Sequence, residues 1–310
     1  MPADLDSRPK IRLAEPHEDA ALMELWTSAF SEPASVFSPI LRSTPRERHF
    51  ALVADLGGRF VASVQVFMTP IRDEAGNVIE LGGIANVSTH PDFRNRGYNG
   101  QLLQASGGEM TARGGAWSYL FTGIPDYYAK FGWKPVAYST ASAPLTFPPS
   151  IQVGARAVTE DDLPSCAELY AATHDKHPLT QVRTVDDWKY KIWSRLPNRL
   201  ILRGDASYVF FTASDGVVSV SDYGSTDEAE VATLMGKAAI WGSSNGMEKI
   251  QFPVPMSTTL YERLEEMLPD LHRENDPNGM VRPLSESWPH ERIQGLFSRL
   301  DARFFNLDGF

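Results

Sequence analysis

The chain has 310 residues, of which 42% are hydrophobic and 22% charged, a composition typical of globular proteins that build a packed core. Its length suits two domains of about 150 residues each. The net charge of −10 argues against nucleic acid as the main partner, because binding a phosphate backbone needs clustered Lys and Arg, whereas an acidic surface would attract a cationic amine.

Other classes of protein are excluded by what the sequence lacks. There is no long apolar run, so we predict no membrane span. Residues 1–10 lack the basic and apolar blocks of a secretory signal, and the single Cys166 rules out an internal disulfide framework. We therefore expect a cytoplasmic protein. The seven histidines show no metal-ligand spacing and one cysteine cannot form a zinc cluster, so no metal site is predicted.

Two segments of the chain begin in the same way. Residues 12–26 align without a gap with residues 156–170, so that Arg12 matches Arg156. Each segment predicts a short strand, an acidic cap and a helix with apolar residues three and four positions apart. The prolines of residues 142–154 predict a linker. We therefore expect two copies of one fold, in domains of residues 1–147 and 148–310.

The hydrophobic pattern of the first copy predicts an α/β domain with a mixed sheet. Strands are predicted at residues 11–14, 50–55, 59–71, 78–89 and 117–122, with further strand structure up to about residue 146. Helices are predicted at residues 18–30, 34–46 and 125–130, and a fourth follows the strand at 78–89 and ends near residue 113.

Residues 84–103, IANVSTHPDFRNRGYNGQLL, combine a strand end, a loop with arginines and glycine, and the start of a helix. Free N–H groups at a helix start attract an anion, and glycine lets the backbone approach it. Arg94 and Arg96 add forked donors that suit phosphate oxygens. This combination predicts a pyrophosphate site.

The order of elements and this motif resemble the GNAT superfamily of N-acetyltransferases. The acetyl-CoA signature of that family is Arg or Gln, two residues, Gly, one residue, then Gly or Ala. Here the segment reads Arg94-Asn95-Arg96-Gly97-Tyr98-Asn99, so Asn99 replaces the small residue and Gly100 follows it. The resemblance implies that residues 94–100 cradle the pyrophosphate of acetyl-CoA.

The same resemblance implies positions for the rest of the cofactor. The pantetheine arm would bind along the strand edge at Val87, Ser88 and Thr89, in a gap bordered by Thr122 and Gly123.

A second motif, Tyr128-Ala-Lys-Phe-Gly-Trp, is similar to the Tyr-x-Lys-x-Gly-Phe element of these enzymes. It implies that Tyr128 returns a proton to the leaving thiolate, a task that suits a phenol with a pKa near 10.

Within the superfamily, the two copies resemble the enhanced-intracellular-survival group, whose first domain is catalytic and whose second is degenerate. Because the sequence ends at residue 310, we expect it to lack the sterol-carrier-like C-terminal domain of that group. Where the second copy would need its phosphate loop, it has no arginine and carries Asp227, Glu228 and Glu230. We therefore expect the second domain to be a scaffold that shapes the substrate cleft.

The resemblance implies direct transfer of acetyl from acetyl-CoA to a primary amine, without a metal. The base that deprotonates the amine stays open between Glu80, Asn86, a water relay and the terminal carboxylate of Phe310, since some relatives use their own terminus. In the alternative interpretation, Phe310 belongs to an aromatic tail, with Phe304 and Phe305, that anchors the chain end. Other open functions are an acyl-CoA sensor without turnover, another acyl donor and a hydroxyl acceptor.

Overall fold

The computed structural model describes residues 8–43, 46–148, 153–194 and 199–304. These residues form twelve β-strands and eight α-helices. The strands are β1 (Lys10–Leu13), β2 (His49–Leu56), β3 (Arg59–Arg72), β4 (Val78–Thr89), β5 (Gly115–Phe121), β6 (Lys134–Pro144), β7 (Arg156–Ala157), β8 (Leu200–Arg203), β9 (Ser207–Ser214), β10 (Val217–Ser225), β11 (Lys249–Phe252) and β12 (His272–Pro283). The helices are α1 (Asp19–Phe30), α2 (Ala34–Ser43), α3 (Tyr98–Ala112), α4 (Pro125–Ala129), α5 (Leu163–His174), α6 (Glu228–Ser244), α7 (Thr258–Met267) and α8 (His290–Phe297).

The predicted α/β class is confirmed. In the first half, most predicted elements agree with the structure to within two residues at each end. The exception is the helix predicted at 34–46, where α2 ends at Ser43 and a 3-10 turn covers Arg46–Arg48. None of the described helices is long and apolar enough to cross a membrane.

All the described strands belong to one mixed sheet with the order β1-β2-β3-β4-β5-β12-β6-β11-β10-β9-β8-β7. If β7 is treated as the equivalent of β1, β8 of β2, and so on to β12 and β6, the order read from one end of the sheet is the same as the order read from the other. The parallel pairs β4–β5 and β10–β11 occupy equivalent places in it. The chain thus traces one six-stranded pattern twice, which supports the interpretation of two copies of a fold.

The two halves share the middle of the sheet through an exchanged strand. β12 comes from the second half but lies between β5 and β6 and pairs antiparallel with both. β6 in turn pairs with β11, with Pro144 opposite Lys249. The linker predicted at residues 142–154 is therefore wrong at its start. Pro144 is tolerated because it is the last residue of β6. The boundary after residue 147 stays a prediction.

Helices cover both faces of the first half of the sheet. α3 contributes Leu102 and Met110 to a core shared with β2, β3 and β4. α1 contributes Leu25 and Trp26 to a second core that includes residues of β2 and β3. Because β3 lies between these two layers, all its residues except the first and the last are buried. This packing holds the neighbouring β4 in place.

Candidate active site

The end of β4 that leads to the loop of Arg94 and Arg96, here called the arginine loop, is not paired with β5. The two strands pair in parallel from Glu80–Gly115 to Gly83–Tyr119, and no described residue of β5 is in register with β4 beyond Gly83. β5 continues along β12 instead. Residues 84–89 of β4 thus present an edge to a gap between the two strands, as the resemblance implied.

β4 carries a bulge within this unpaired stretch. Asn86 and Val87 together oppose the single residue Val64 of β3. Asn86 has a φ of 44°, in the left-handed region that non-glycine residues rarely adopt. Because a bulge bends its strand, this one helps to separate β4 from β5.

A left-handed glycine begins α3 directly after the arginine loop. Gly97 is the N-cap with a φ of 77°, and Asn95 also lies in the left-handed region with a φ of 63°. Within the described chain, the N-cap of α3 has no side-chain hydrogen bond to the first N–H groups of the helix. These groups are therefore open to an anion.

Arg94 and Arg96 are held at the rim of the same site. Arg94 Nη2 donates to the carbonyl oxygen of Ala29 at the end of α1, at 3.0 Å. The Arg96 guanidinium lies 5.1 Å from the centre of the Phe93 ring. Both side chains stay exposed, so two positive charges border the open helix start.

These elements enclose a cleft of about 560 Å³. It brings together most of the residues predicted to bind the cofactor, namely Val87, Ser88, Thr89, Arg94, Asn95, Arg96, Gly97, Tyr98 and Asn99, and also Tyr128. Asn99 stands where the family motif has a small residue, and its side-chain oxygen is buried without a hydrogen-bond partner among the described residues. A side-chain amide in this position can turn its N–H groups towards an anion.

Three of the residues predicted to bind the cofactor, Gly100, Thr122 and Gly123, do not line the cleft. Gly100 lies under Phe131, whose ring would be 2.9 Å from a Cβ at this position, so its glycine serves packing. Thr122 Oγ1 accepts from the N–H of Ile124, at 3.0 Å, and thereby shapes the turn after β5 together with the exposed Gly123. Phe310, the predicted terminal carboxylate, lies outside the described residues.

Tyr128 is the buried phenol of the cleft. Its side chain is 9% exposed, and its ring lies edge-on to Tyr127 and Trp133. Burial, and to a lesser degree the neighbouring Tyr127, raises the pKa of Tyr128 to about 12. The phenol therefore keeps its proton at neutral pH, as a proton donor must. Tyr127 also lines the cleft.

Neither predicted base on β4 lines this cleft. Asn86 Nδ2 donates to Gln65 Oε1 on β3, at 2.6 Å, so the amide is turned away from the gap. Glu80 lies at the start of β4, beside Gly115. Burial raises the pKa of Glu80, against the opposing effect of the charge on Arg48. Within the described residues, no three His, Cys, Asp or Glu side chains lie close enough together to hold a metal ion.

Other residues of the cleft were not singled out for cofactor binding. Phe30 and Ile124 line it and are 41% and 61% exposed. Phe30 belongs to the apolar pattern of α1, which usually marks a core residue. Phe30 is the last residue of α1. This terminal position is the sequence feature that could have indicated an exposed side chain.

In the second half, the equivalent gap is closed. β10 and β11 pair in parallel only from Val217 to Ser219 of β10. Beyond that point the Tyr223 hydroxyl donates to the carbonyl oxygen of Pro255, at 2.8 Å, across the gap. The N-cap Asp227 of α6 accepts from the N–H groups of Ala229 and Glu230, at 2.8 and 3.2 Å. Here the chain's own carboxylate occupies the place of an anion.

The family comparison agrees with this division of the chain. Residues 10–136 match the model of the acetyltransferase (GNAT) domain. Residues 10–136 therefore form a GNAT acetyltransferase domain. No curated protein matches the sequence.

Solved structures share the fold over most of the chain. A conserved protein from Enterococcus faecalis V583, a probable N-acyltransferase, has a TM-score of 0.68 at 15% identity and matches over 90% of this chain and 73% of its own. Eis1 from Mycobacterium abscessus has a TM-score of 0.62 at 12% identity, over 89% and 73%. N-myristoyltransferase from Saccharomyces cerevisiae, solved with bound myristoyl-CoA, has a TM-score of 0.57 at 11% identity, over 91% and 80%. The similarity to the Eis-like group thus holds for the fold.

Proposed function

We propose that the first half of the chain transfers an acetyl group from acetyl-CoA to a primary amine by direct attack of the amine on the thioester. The observation that carries this proposal is the single cleft in which a splayed strand edge, an open helix start with two arginines, and a buried phenol meet. Each of the three corresponds to one part of the donor.

The site residues divide the donor between them. Residues 94–99 and the first N–H groups of α3 would hold the pyrophosphate, which needs a cationic, N–H-rich site. The unpaired edge of β4 at Val87–Thr89 would hold the amides of the pantetheine arm by backbone hydrogen bonds. Asn99 lines the same cleft, and the N–H groups of its side-chain amide would donate to the pyrophosphate.

In the reaction, the amine nitrogen forms a bond to the acetyl carbon and the carbon–sulfur bond breaks. Tyr128 donates its proton to the thiolate that leaves. The amine loses its proton to a base outside the described cleft, or to water. The role of Phe310 stays a prediction. We also propose a cytoplasmic location, which the single cysteine supports.

The second half supports the site as a scaffold in this proposal. Its own gap is crossed by Tyr223 and its helix start is capped by Asp227, whereas its strand β12 completes the sheet beside β5. We therefore infer that this half acts as a scaffold, because its described residues fill the places that the donor would occupy.

The proposal is tested with calorimetry of CoA binding and with a thiol-release assay that uses acetyl-CoA and a panel of amines. Replacing both Arg94 and Arg96 by alanine should weaken CoA binding by about tenfold or more, because two forked phosphate donors are lost. Arg273→Ala is the matched control, since this exposed arginine stacks on Tyr261 in the second half. Unchanged affinity in the double variant would contradict the assignment. If the protein binds CoA but releases no thiol with any of the amines, the result would favour an acyl-CoA sensor. If thiol is released only from a longer acyl-CoA, the donor would not be acetyl-CoA.

A further inference from the structure

Two buried polar side chains of β3 lie against the bulge of β4. Gln65 Oε1 accepts from Asn86 Nδ2 at 2.6 Å, and Ser63 Oγ lies 2.9 Å from Ser88 Oγ. Gln65 is 1% exposed and Ser63 is fully buried. The two links flank Val87, so the residues before and after it are both tied to β3.

Burying the polar side chain of Gln65 costs free energy, and packing alone does not explain why a polar residue is found here. A glutamine in the interior of a buried strand must find a hydrogen-bond partner, and an apolar side chain would fill this place without that requirement. Asn86 in turn adopts a left-handed backbone conformation, which a non-glycine residue keeps only where its surroundings hold it. The hydrogen bond satisfies both requirements at once.

The second half has the bulge without this link. The register between β9 and β10 shifts at Ser221, the bulged residue, and the place of Gln65 beside the bulge is taken by Phe211. Among the described residues, Ser221 is not one of those with a positive φ. Its hydroxyl donates to the carbonyl oxygen of Phe210, at 3.3 Å. The left-handed residue and its glutamine partner thus occur in the half that carries the arginine loop.

We propose that Gln65 is a positioning residue for acyl transfer. By holding Asn86 in the left-handed conformation, it fixes the bulge so that the N–H of Val87 faces the gap, where it polarises the thioester carbonyl. This inference rests on the proposed function. Val87 lines the cleft and has no strand partner opposite it on β5, so the direction of its N–H depends on the bulge.

The test compares three variants in the thiol-release assay. Gln65→Leu removes the acceptor of Asn86 and should lower kcat about tenfold or more, because a donor to the developing oxyanion is misdirected. The affinity for CoA should change less than about twofold, since the pyrophosphate loop is untouched. Asn86→Gly should keep most of kcat, because glycine adopts a positive φ without strain. In the Asn86→Gly background, Gln65→Leu should then have little further effect.

Ser207→Ala is the matched control for a general loss of stability. It removes a buried cross-strand serine pair of the second half, Ser207 with Ser225 at 2.7 Å, and kcat should stay within about twofold of the parent. The proposal is overturned if Gln65→Leu keeps full kcat. It is also overturned if Gln65→Leu costs as much with Gly at position 86 as with Asn.

An independent readout separates this proposal from the reaction itself. Binding of a ketone analogue of acetyl-CoA should shift the amide NMR signal of Val87 in the parent and shift it much less in Gln65→Leu. A parent that releases no thiol but shows this difference would refute the proposed reaction and support the positioning role. Equal shifts in the two proteins would refute the positioning role, whatever the activity.

Discussion

Tyr128 shows how a single residue acquires its character from its surroundings. Its phenol is buried against Tyr127 and Trp133, and burial raises its pKa to about 12. Tyr128→Phe keeps the ring and removes the proton, so kcat for thiol release should fall about a hundredfold. CoA affinity should stay unchanged in calorimetry. Tyr127→Phe is the matched control, and an equal loss in that variant would show that the roles were exchanged.

The raised pKa of Tyr128 also predicts a pH dependence. A tyrosine with an ordinary pKa near 10 would lose its proton as the pH approaches 10 and turnover would decline. Because the pKa of Tyr128 is about 12, its proton is retained and kcat should show no decline between pH 8 and about 10.5. A decline centred near pH 10 in the parent would contradict the buried environment.

Gly224 is a residue whose lack of a side chain is required by packing. A Cβ here would lie 2.6 Å from the Tyr208 ring and 2.7 and 2.8 Å from backbone atoms of Tyr170 and Leu169 in α5. Because backbone cannot move aside, Gly224→Ala should lower the free energy of unfolding by about 2–4 kcal/mol in urea denaturation. Gly108→Ala, on the exposed side of α3 with open space around it, is the control and should not destabilise the protein. A loss below about 0.5 kcal/mol for Gly224→Ala would contradict the close packing.

Most of the lining of the candidate site could be predicted at the scale of residues, because residues 94–99 are contiguous and line one cleft. The orientation of Asn86 could not, since it depends on Gln65, which lies 21 residues away in the chain. The cleft also brings Phe30 together with Ile124, which lies 94 residues away in the chain.

At the scale of elements, the two similar segments at residues 12–26 and 156–170 are stabilised by the same kind of ion pair. Arg12 forms a two-pronged ion pair with Glu18, with distances of 2.6 and 2.7 Å. Arg156 forms the same pair with Asp162, at 2.5 and 2.7 Å. In both copies the carboxylate also accepts a backbone N–H at the N-cap, as a capping box. The aligned arginine and acid thus tie the first strand of each half to the helix that follows.

This pairing predicts how stability depends on pH. The hydrogen bond from Arg156 lowers the pKa of Asp162 to about 2, below its usual value near 4. The stabilisation is therefore complete above about pH 4 and is lost as the pH falls towards 2. Asp162→Asn should lower the free energy of unfolding by about 1 kcal/mol at pH 7, and parent and variant should converge near pH 2. A difference that does not depend on pH would show that the charge is irrelevant.

The exchanged strand could not be predicted from its sequence. Residues 272–283, HRENDPNGMVRP, are rich in polar and turn-forming residues, and such a pattern usually indicates a loop. They form a strand because β5 and β6 supply hydrogen-bond partners on both sides. Tertiary pairing thus overrides local preference, and sequence patterns do not contain that information.

At the scale of the whole molecule, the shared sheet predicts cooperative unfolding. Each half depends on a strand that the other half pairs with, and Arg282 of β12 also donates to the carbonyl oxygen of Leu103 in α3, at 3.3 Å. Differential scanning calorimetry should therefore show one transition for the intact chain, with equal calorimetric and van't Hoff enthalpies. Two separate transitions would show that the halves unfold independently.

The position of β12 in the sheet also has a consequence for folding during synthesis on the ribosome. β5 and β6 are synthesised long before residues 272–283 leave the exit tunnel, so the first half waits with two adjacent unpaired strand edges. Such edges attract other strands, and this interval is the time of greatest risk of misassembly. The cleft proposed to bind the donor therefore reaches its final framework only after residues 272–283 have been synthesised.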